Sequence, residues 1–259
     1  MKMKLPKKHH GAETTIFAKM TALALQENAA NLSQGFPDDE IHPHLKKLLA
    51  EATANNYNQY APMNGLPMLV ETLIDFNQKR NISVSKDELT IISGATYGIY
   101  TAIASIIEYG DEVIVLEPSY DSYVPAIETN GGKPVFVSLN EHFEADFEAI
   151  KKAITEKTKA IIINSPHNPT GKIWKKADFE QLYQMIKDTE IMVISDEVYD
   201  LITFDENKFY SICHHPELKN RSFAIFSFGK MFHITGWKVG YILAPEELTN
   251  AFRSVHQYL

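Results

Sequence analysis

Short apolar runs alternate with helix-like stretches along most of this chain. Seven runs are predicted to be strands: residues 89–93, 112–116, 134–139, 160–164, 191–195, 223–227 and 239–244. Most lack the strict polar–apolar alternation of a strand with one solvated face. Helices are predicted at residues 95–107, 145–153, 176–187 and 246–259. The alternation predicts an α/β fold with an open, mainly parallel seven-stranded sheet flanked by helices.

Composition narrows the class of protein. The 259 residues suit one large domain or two small ones, and a net charge of -8 argues against a nucleic-acid binder. The single cysteine, Cys213, excludes an internal disulfide and fits a reducing compartment. No apolar stretch approaches membrane-spanning length, and no signal-peptide pattern or metal-ligand spacing is recognisable. We therefore expect a cytoplasmic protein without membrane, nucleic-acid or metal partners.

Unusual residues follow five of the predicted strands. Because ligands of open parallel sheets bind beyond the carboxyl ends of the strands, we expect these segments to cluster. They are residues 94–96, 117–120, 164–171, 196–199 and 227–230. Their chemistry therefore indicates what the protein binds.

The first two features concern charge. Gly94, Ala95 and Thr96 can present free amide groups at a helix N-terminus, which suits a phosphate, or they can simply begin a helix. Asp196 directly follows an apolar strand, and a carboxylate there needs a cation such as a protonated heterocyclic nitrogen. Alternatively, Asp196 is an ordinary helix N-cap.

The remaining features suit a flat ring. Asn168, in a loop stiffened by prolines, can donate a hydrogen bond to a phenolate oxygen or serve only in a turn. Tyr199 can share that oxygen and Tyr120 can stack on the ring, or both can be core residues. Tyr123 and Trp237 can either shape the pocket or pack in the core, and the sequence does not decide between these roles.

Lys230 ends the run Ser-Phe-Gly-Lys at residues 227–230. A lysine held at the end of a buried strand can lose its proton and form a Schiff base with a carbonyl, whereas a solvated loop lysine cannot. Together, the five segments describe a ligand with a phosphate, a cationic ring nitrogen, a phenolic oxygen and an aldehyde. That ligand is pyridoxal 5′-phosphate, whose protonated ring accepts electrons from a substrate α-carbon.

The ordered motifs resemble the class I/II aminotransferases of the pyridoxal-phosphate fold type I. These motifs are Asn-Pro-Thr-Gly at 168–171, Asp-Glu-Val-Tyr at 196–199, Ser-Phe-Gly-Lys at 227–230 and Gly-Trp-Lys-Val-Gly at 236–240. Residues 31–38 and 58–62 resemble the kynurenine and methionine aminotransferase branch, especially its bacterial members acting on methionine.

The resemblance implies a role for each matching residue. Lys230 would bind the cofactor aldehyde and move the α-proton, Asp196 would pair with the ring nitrogen, and Asn168 and Tyr199 would bond the phenolic oxygen. The other implied contacts are ring stacking by Tyr120, phosphate binding by Gly94, Ala95, Thr96, Ser227 and Lys238, substrate-carboxylate binding near Gly35, and a reach by Tyr60 to the phosphate of a neighbouring subunit in a homodimer.

The resemblance also implies a domain plan. Residues 1–40 would form an N-terminal arm or small-domain segment, residues 41–245 the large cofactor domain, and residues 246–259 the first part of an interdomain helix. Most of the small domain, with an arginine that grips the substrate carboxylate, would be missing. We do not assign that role to Arg253. We expect the last helix to expose an apolar face.

The expected function in amino acid metabolism is transfer of an amino group to a 2-oxo acid. The donor would be methionine, an aromatic amino acid or a glutamine-like amino acid, and activity would be impaired in this short form. The alternatives are a pyridoxal-phosphate β-lyase acting on sulfur amino acids, and a non-catalytic remnant of the fold. A nicotinamide-binding domain is disfavoured because no G-x-G-x-x-G follows a strand.

Overall fold

The protein forms one seven-stranded sheet with helices on both faces. The computed structural model describes residues 15–33 and 40–259. Its strands are β1 Leu89–Ile92, β2 Glu112–Glu117, β3 Lys133–Ser138, β4 Thr158–Asn164, β5 Met192–Asp196, β6 Ser222–Ser227 and β7 Gly240–Leu243. All seven predicted strands are confirmed, with bounds that shift by at most two residues.

Ten α-helices and two short 3-10 turns connect the strands in the described part of the chain. The helices are α1 Ile16–Gln26, α2 Pro43–Ala54, α3 Pro67–Lys79, α4 Ala95–Ile106, α5 Tyr123–Thr129, α6 Phe147–Ala153, α7 Lys176–Ile186, α8 Pro216–Lys219, α9 Phe228–Met231 and α10 Glu246–His256, and the turns are Ile212–His214 and Thr235–Trp237. The four predicted helices are therefore present as α4, α6, α7 and α10.

The order and direction of the strands place the segments that follow most of them at one edge of the sheet. The sheet runs β1-β7-β6-β5-β4-β2-β3, and all neighbours are parallel except β7, which is antiparallel to both β1 and β6. The carboxyl ends of the six other strands consequently meet at the same edge as the amino end of β7. The mainly parallel sheet is confirmed.

Hydrophobic cores lie on both faces of the sheet. Side chains of a single strand alternate between them: Ile161 and Ile163 of β4 pack with α7, whereas Ala160 and Ile162 pack with α4 and α5. These strand residues are almost completely buried. Double-sided burial explains why the central strands lack alternation in sequence. Only β3, at the edge, is largely accessible.

The last helix packs against the same face of the sheet as α4. Phe252 of α10 is buried in the same core as α4, and Leu248 packs against it. Arg253 holds the helix to β1 by donating to Thr90 Oγ1 at 3.0 Å and to the Leu89 carbonyl at 2.7 Å. The prediction of an exposed apolar face is therefore wrong for Leu248 and Phe252, which pack in this core, whereas Tyr258 and Leu259 at the end of the predicted helix are exposed.

Among the described residues, no helix combines the length and apolar character needed to cross a bilayer. In the same part of the chain, no group of three or more His, Cys, Asp or Glu side chains is arranged to hold a metal ion.

Candidate active site

A cleft of about 1180 Å³ opens at the edge where the carboxyl ends of the parallel strands meet. It brings together ten of the residues singled out from the sequence. They are Gly94, Ala95, Thr96, Tyr120, Asn168, Asp196, Tyr199, Ser227, Lys230 and Lys238. The expected clustering is thus observed, although the residues come from five separate connections.

Two predicted site residues are not placed in the cleft. Tyr60 lies in the loop after α2, and its side chain is fully exposed. Gly35 falls outside the described residues. Neither role is therefore tested by the geometry of one chain.

One end of the cleft has the chemistry to receive an anion. Helix α4 begins at Ala95, directly after Gly94 with a φ of 87°, a conformation that favours glycine. The first turn of an α-helix presents N–H groups without intrahelical acceptors and carries a partial positive charge. A Cβ added to Gly94 would lie 3.5 Å from the Cα of Lys238. The helix start, the Lys238 backbone and the Ser227 loop therefore surround one small space.

Asp196 forms the floor of the cleft at the end of β5. Its side chain is buried, with Oδ2 accepting a 2.6 Å hydrogen bond from the Tyr123 hydroxyl and Oδ1 a 3.4 Å bond from the Val198 amide. Burial raises the pKa of the Asp196 carboxyl to about 6, although those two hydrogen bonds and the charge of Lys230 oppose the rise. No α-helix starts here, so the N-cap alternative fails, and a cation at the open side would stabilise the carboxylate.

Lys230 faces Asp196 from the short helix α9, which follows β6 directly. Partial burial lowers the pKa of its amine, the carboxylate of Asp196 opposes that effect, and the positive charge of Lys238 adds to it. The Nζ atom lies 5.4 Å from the centre of the Tyr199 ring. Lys230 is thus not a solvated loop lysine, and its amine is closer to the neutral, nucleophilic form than an exposed one.

Asn168 and Tyr199 make a pair of donors on one wall of the cleft. The Asn168 amide donates to the Tyr199 hydroxyl across 3.3 Å. Burial, and then the negative charge of Asp196, raise the pKa of the Tyr199 hydroxyl to about 12. The phenol therefore keeps its proton at neutral pH, and the pair suits an anionic oxygen.

The aromatic residues left open by the sequence separate into different roles. Tyr120 lines the cleft and contacts Tyr123 edge-on, with 5.7 Å between ring centres. Tyr123 lies behind the cleft, fully buried against Asp196, and this bond was not foreseen from the sequence. Trp237 packs against the hydrophobic core instead of the cleft. No sequence spacing links Tyr123 to a residue 73 positions away, so only the folded geometry identifies it.

Comparison with known proteins places this geometry in a family. The sequence profile described as "Aminotransferase class I and II" matches residues 27–259. The chain belongs to this aminotransferase family. It is 45% identical over 250 residues to the methionine aminotransferase of Escherichia coli (strain K12), covering 95% of this chain and 64% of that relative. It is 34% identical to the kynurenine–oxoglutarate transaminase of Dictyostelium discoideum, covering 95% of this chain and 61% of the relative.

Solved structures of aminotransferases agree in fold. YbdL from Escherichia coli, described as having a methionine aminotransferase function, superposes with a TM-score of 0.94 at 42% identity, covering 99% of this chain and 68% of that one. The N-succinyldiaminopimelate aminotransferase from Mycobacterium tuberculosis gives a TM-score of 0.93 at 34% identity, covering 98% and 68%. The fold is therefore that of the pyridoxal-phosphate fold type I enzymes.

Aminotransferases of this class depend on pyridoxal 5′-phosphate. The residues of the cleft fit that cofactor by their chemistry. A buried carboxylate, a lysine amine with a lowered pKa, two donors for an anionic oxygen and a helix N-terminus beside a lysine are arranged around one space. Each feature matches one functional group of the cofactor.

Proposed function

We propose that this chain binds pyridoxal 5′-phosphate through Lys230 and forms the cofactor-binding part of an aminotransferase. The supporting observation is that the Lys230 amine and the buried Asp196 carboxylate face one cleft, which also contains an anion-binding helix start. In this proposal Ala95, Thr96, Ser227 and Lys238 hold the phosphate, with Gly94 leaving room for it. Lys238 contributes a point charge and not the planar fork of an arginine.

In this proposal, the residues around the cofactor ring have separate roles. Bound here, the cofactor would supply a ring that accepts negative charge from the substrate α-carbon. Asp196 would keep a proton on the ring nitrogen, because an opposite charge stabilises the ionised form. Asn168 and Tyr199 would donate to the phenolic oxygen, and Tyr120 would cover one face of the ring. The Lys230 amine would accept the α-proton and return it, since its lowered pKa favours the unprotonated base.

The substrate carboxylate lacks an arginine partner in this chain. The sequence contains three arginines, and each is engaged elsewhere. Arg80 pairs with Asp200 at 2.7 Å, Arg221 donates to main-chain carbonyls near the start of β5, and Arg253 donates to β1. We therefore propose that the 259 residues alone position a substrate poorly, with only Gly35 suggested at that place.

We further propose that the amino donor is methionine, an aromatic amino acid or a glutamine-like amino acid, and that a 2-oxo acid accepts the amine. This choice rests on likeness to a methionine aminotransferase and a kynurenine–oxoglutarate transaminase. A homodimer, with Tyr60 reaching the phosphate of the partner, is supported by the full exposure of Tyr60. Residues 1–40 and 246–259 would then flank a cofactor domain at 41–245. A cytoplasmic location is supported by the single, buried Cys213.

A titration with the cofactor tests the central proposal. Purified protein mixed with pyridoxal 5′-phosphate should develop a visible absorption band, and borohydride should fix the cofactor to the peptide containing Lys230. The variant Lys230→Ala should show neither, whereas Lys176→Ala, which removes an exposed lysine far from the cleft, should behave like the wild type. A wild type without band or modified peptide refutes cofactor binding.

Product analysis then identifies the reaction. With methionine and a 2-oxo acid, an aminotransferase forms a new amino acid and the oxo acid of methionine. Release of ammonia and pyruvate from sulfur amino acids would instead identify a β-lyase. A loaded protein without any turnover would identify a non-catalytic remnant, and turnover equal to that of the longer relatives would refute the proposed impairment.

A further inference from the structure

Asn164 is a buried side chain that links two walls of the cleft without lining it. It ends β4 and pairs in register with Asp196 of β5. Its Nδ2 donates to the Asp196 carbonyl at 2.8 Å, and its Oδ1 accepts from the Asn168 amide at 2.6 Å. One side-chain amide thus uses both its donor and its acceptor on residues that face the cleft.

These two bonds close a ring of contacts. The Asn168 side chain donates to Tyr199, and Tyr199 follows Asp196 by three residues in the turn after β5. Starting from Asp196, the contacts therefore run through Asn164 and Asn168 to Tyr199 and return along the chain. The Asn164 side chain thus joins the loop that carries Asn168 to the strand end that carries Asp196.

We propose that Asn164 is a positioning residue that sets the separation between the partner of the ring nitrogen and the donors to the phenolic oxygen. This role rests on the proposed function, because it matters only when one rigid ring must satisfy both ends. Geometry held by supporting hydrogen bonds is what makes such a site complementary to its ligand.

Asparagine suits this position for a physical reason. The Asp196 carbonyl also accepts from the Ser165 amide at 3.1 Å, so that carbonyl keeps a partner when Asn164 is replaced. The backbone N–H of Asn168 donates to Asn164 Oδ1 and would lose this acceptor. An apolar replacement of similar volume should therefore loosen the loop carrying Asn168 more than the strand carrying Asp196.

The test compares Asn164→Leu with Asn77→Leu. Asn77 is an equally buried amide whose Nδ2 donates to the Leu73 carbonyl at 2.8 Å within α3, away from the cleft. Both variants lose a buried amide, so both should unfold at lower temperature. Only Asn164→Leu should bind pyridoxal 5′-phosphate more weakly, with a dissociation constant that is higher by about tenfold or more. The midpoint of the change of the visible band with pH should also move to higher pH in Asn164→Leu, because the hydrogen-bond donors that stabilise the anionic oxygen are held less firmly.

A second variant covers the case in which Asn164→Leu does not fold. In Asn164→Asp, the neutral acid can donate and accept as the amide does. The ionised form still accepts from the Asn168 backbone amide, but it cannot donate to the Asp196 carbonyl and repels that oxygen, so the link between the two walls breaks at this end. Its dissociation constant relative to the wild type should therefore be near one at low pH and increase as the pH rises.

The outcomes separate this role from the proposed function. In one outcome, the wild type shows the visible band while Asn164→Leu has the same dissociation constant and the same pH midpoint as the wild type. That result would overturn the role of Asn164 and leave the proposed function intact. If Asn164→Leu does not fold, a pH-independent ratio for Asn164→Asp overturns it equally. A wild type that binds no cofactor overturns both proposals.

Discussion

The hydrogen bond between Tyr123 and Asp196 gives a quantitative prediction for Tyr123→Phe. The substitution removes one hydroxyl from a buried ring and leaves the rest of the side chain in place. That hydroxyl donates to Asp196 Oδ2 at 2.6 Å, a short bond that stabilises the ionised carboxyl. Its loss should therefore raise the pKa of Asp196 further above its ordinary value.

The magnitude follows from the strength of such bonds. A buried hydrogen bond to a charged group contributes about 1.5–3 kcal/mol, and one between neutral groups about 0.5–1.5 kcal/mol. Since each pH unit corresponds to about 1.4 kcal/mol, the pKa of Asp196 should rise by roughly one pH unit from its value of about 6.

The sign of the pH dependence follows from the same shift. The folded-state pKa of Asp196 lies above the unfolded value of 3.8, so its contribution to stability is present below that value and is lost as the pH rises through about 6. In Tyr123→Phe this loss extends to higher pH and becomes larger. The variant should be destabilised by about 1 kcal/mol near pH 4 and by about 2 kcal/mol or more near pH 8.

Urea unfolding of the cofactor-free protein between pH 4 and pH 8 measures this difference. Tyr241→Phe is a matched control, because Tyr241 is also fully buried and its hydroxyl donates to no carboxylate among the described residues. We expect its effect on stability to be independent of pH. If Tyr123→Phe also lost the same free energy at pH 4 and pH 8, the hydroxyl would not be stabilising a carboxylate.

Two further predictions concern the buried charges behind the cleft. Burial raises the pKa of Glu197 to about 7, above its unfolded value of 4.5, so its contribution to stability is present below pH 4.5 and is lost as the pH rises through 7. In urea unfolding, Glu197→Gln should equal the wild type near pH 4 and exceed it by about 3 kcal/mol near pH 8.5. Arg80→Met should cost about 3–5 kcal/mol at pH 7, because it leaves the buried Asp200 without its cation, and a double variant with Asp200→Asn should recover part of that loss in the same assay.

Apolar runs made the sheet predictable, but several helices were not foreseen. Strands β1 to β7 follow from β-branched runs that are buried on both faces. Helix α5 gives no comparable signal, since Pro125 and β-branched neighbours lie in its first turns. It forms because Ala126 and Ile127 pack into the core beside α4, a tertiary contact that local propensity does not contain.

The sequence predicted those residues of the candidate site that have distinctive chemistry and directly follow a strand. Lys230, Asp196 and Asn168 follow strands, and the carboxyl edge of a parallel sheet gathers such residues. The bonds made by Tyr123 and Asn164 depend on which strands are neighbours and in which register they pair, and no spacing in the sequence fixes either. The packed face of α10 was mispredicted for a related reason, because its partner α4 lies about 150 residues earlier.

The pairing of β1 with β7 has a consequence for biosynthesis. In the sheet of the described residues, strand β1 lies at one edge and pairs with β7, about 150 residues later in the chain. A ribosome adding roughly 5–20 residues per second needs about eight to thirty seconds for that interval, during which β7 is not available to pair with β1. Gly94 follows β1 and Lys238 precedes β7, so the space between these two residues closes only after β7 has joined the sheet. Binding of pyridoxal 5′-phosphate by a nascent chain would accordingly report that β7 has been translated and has paired with β1.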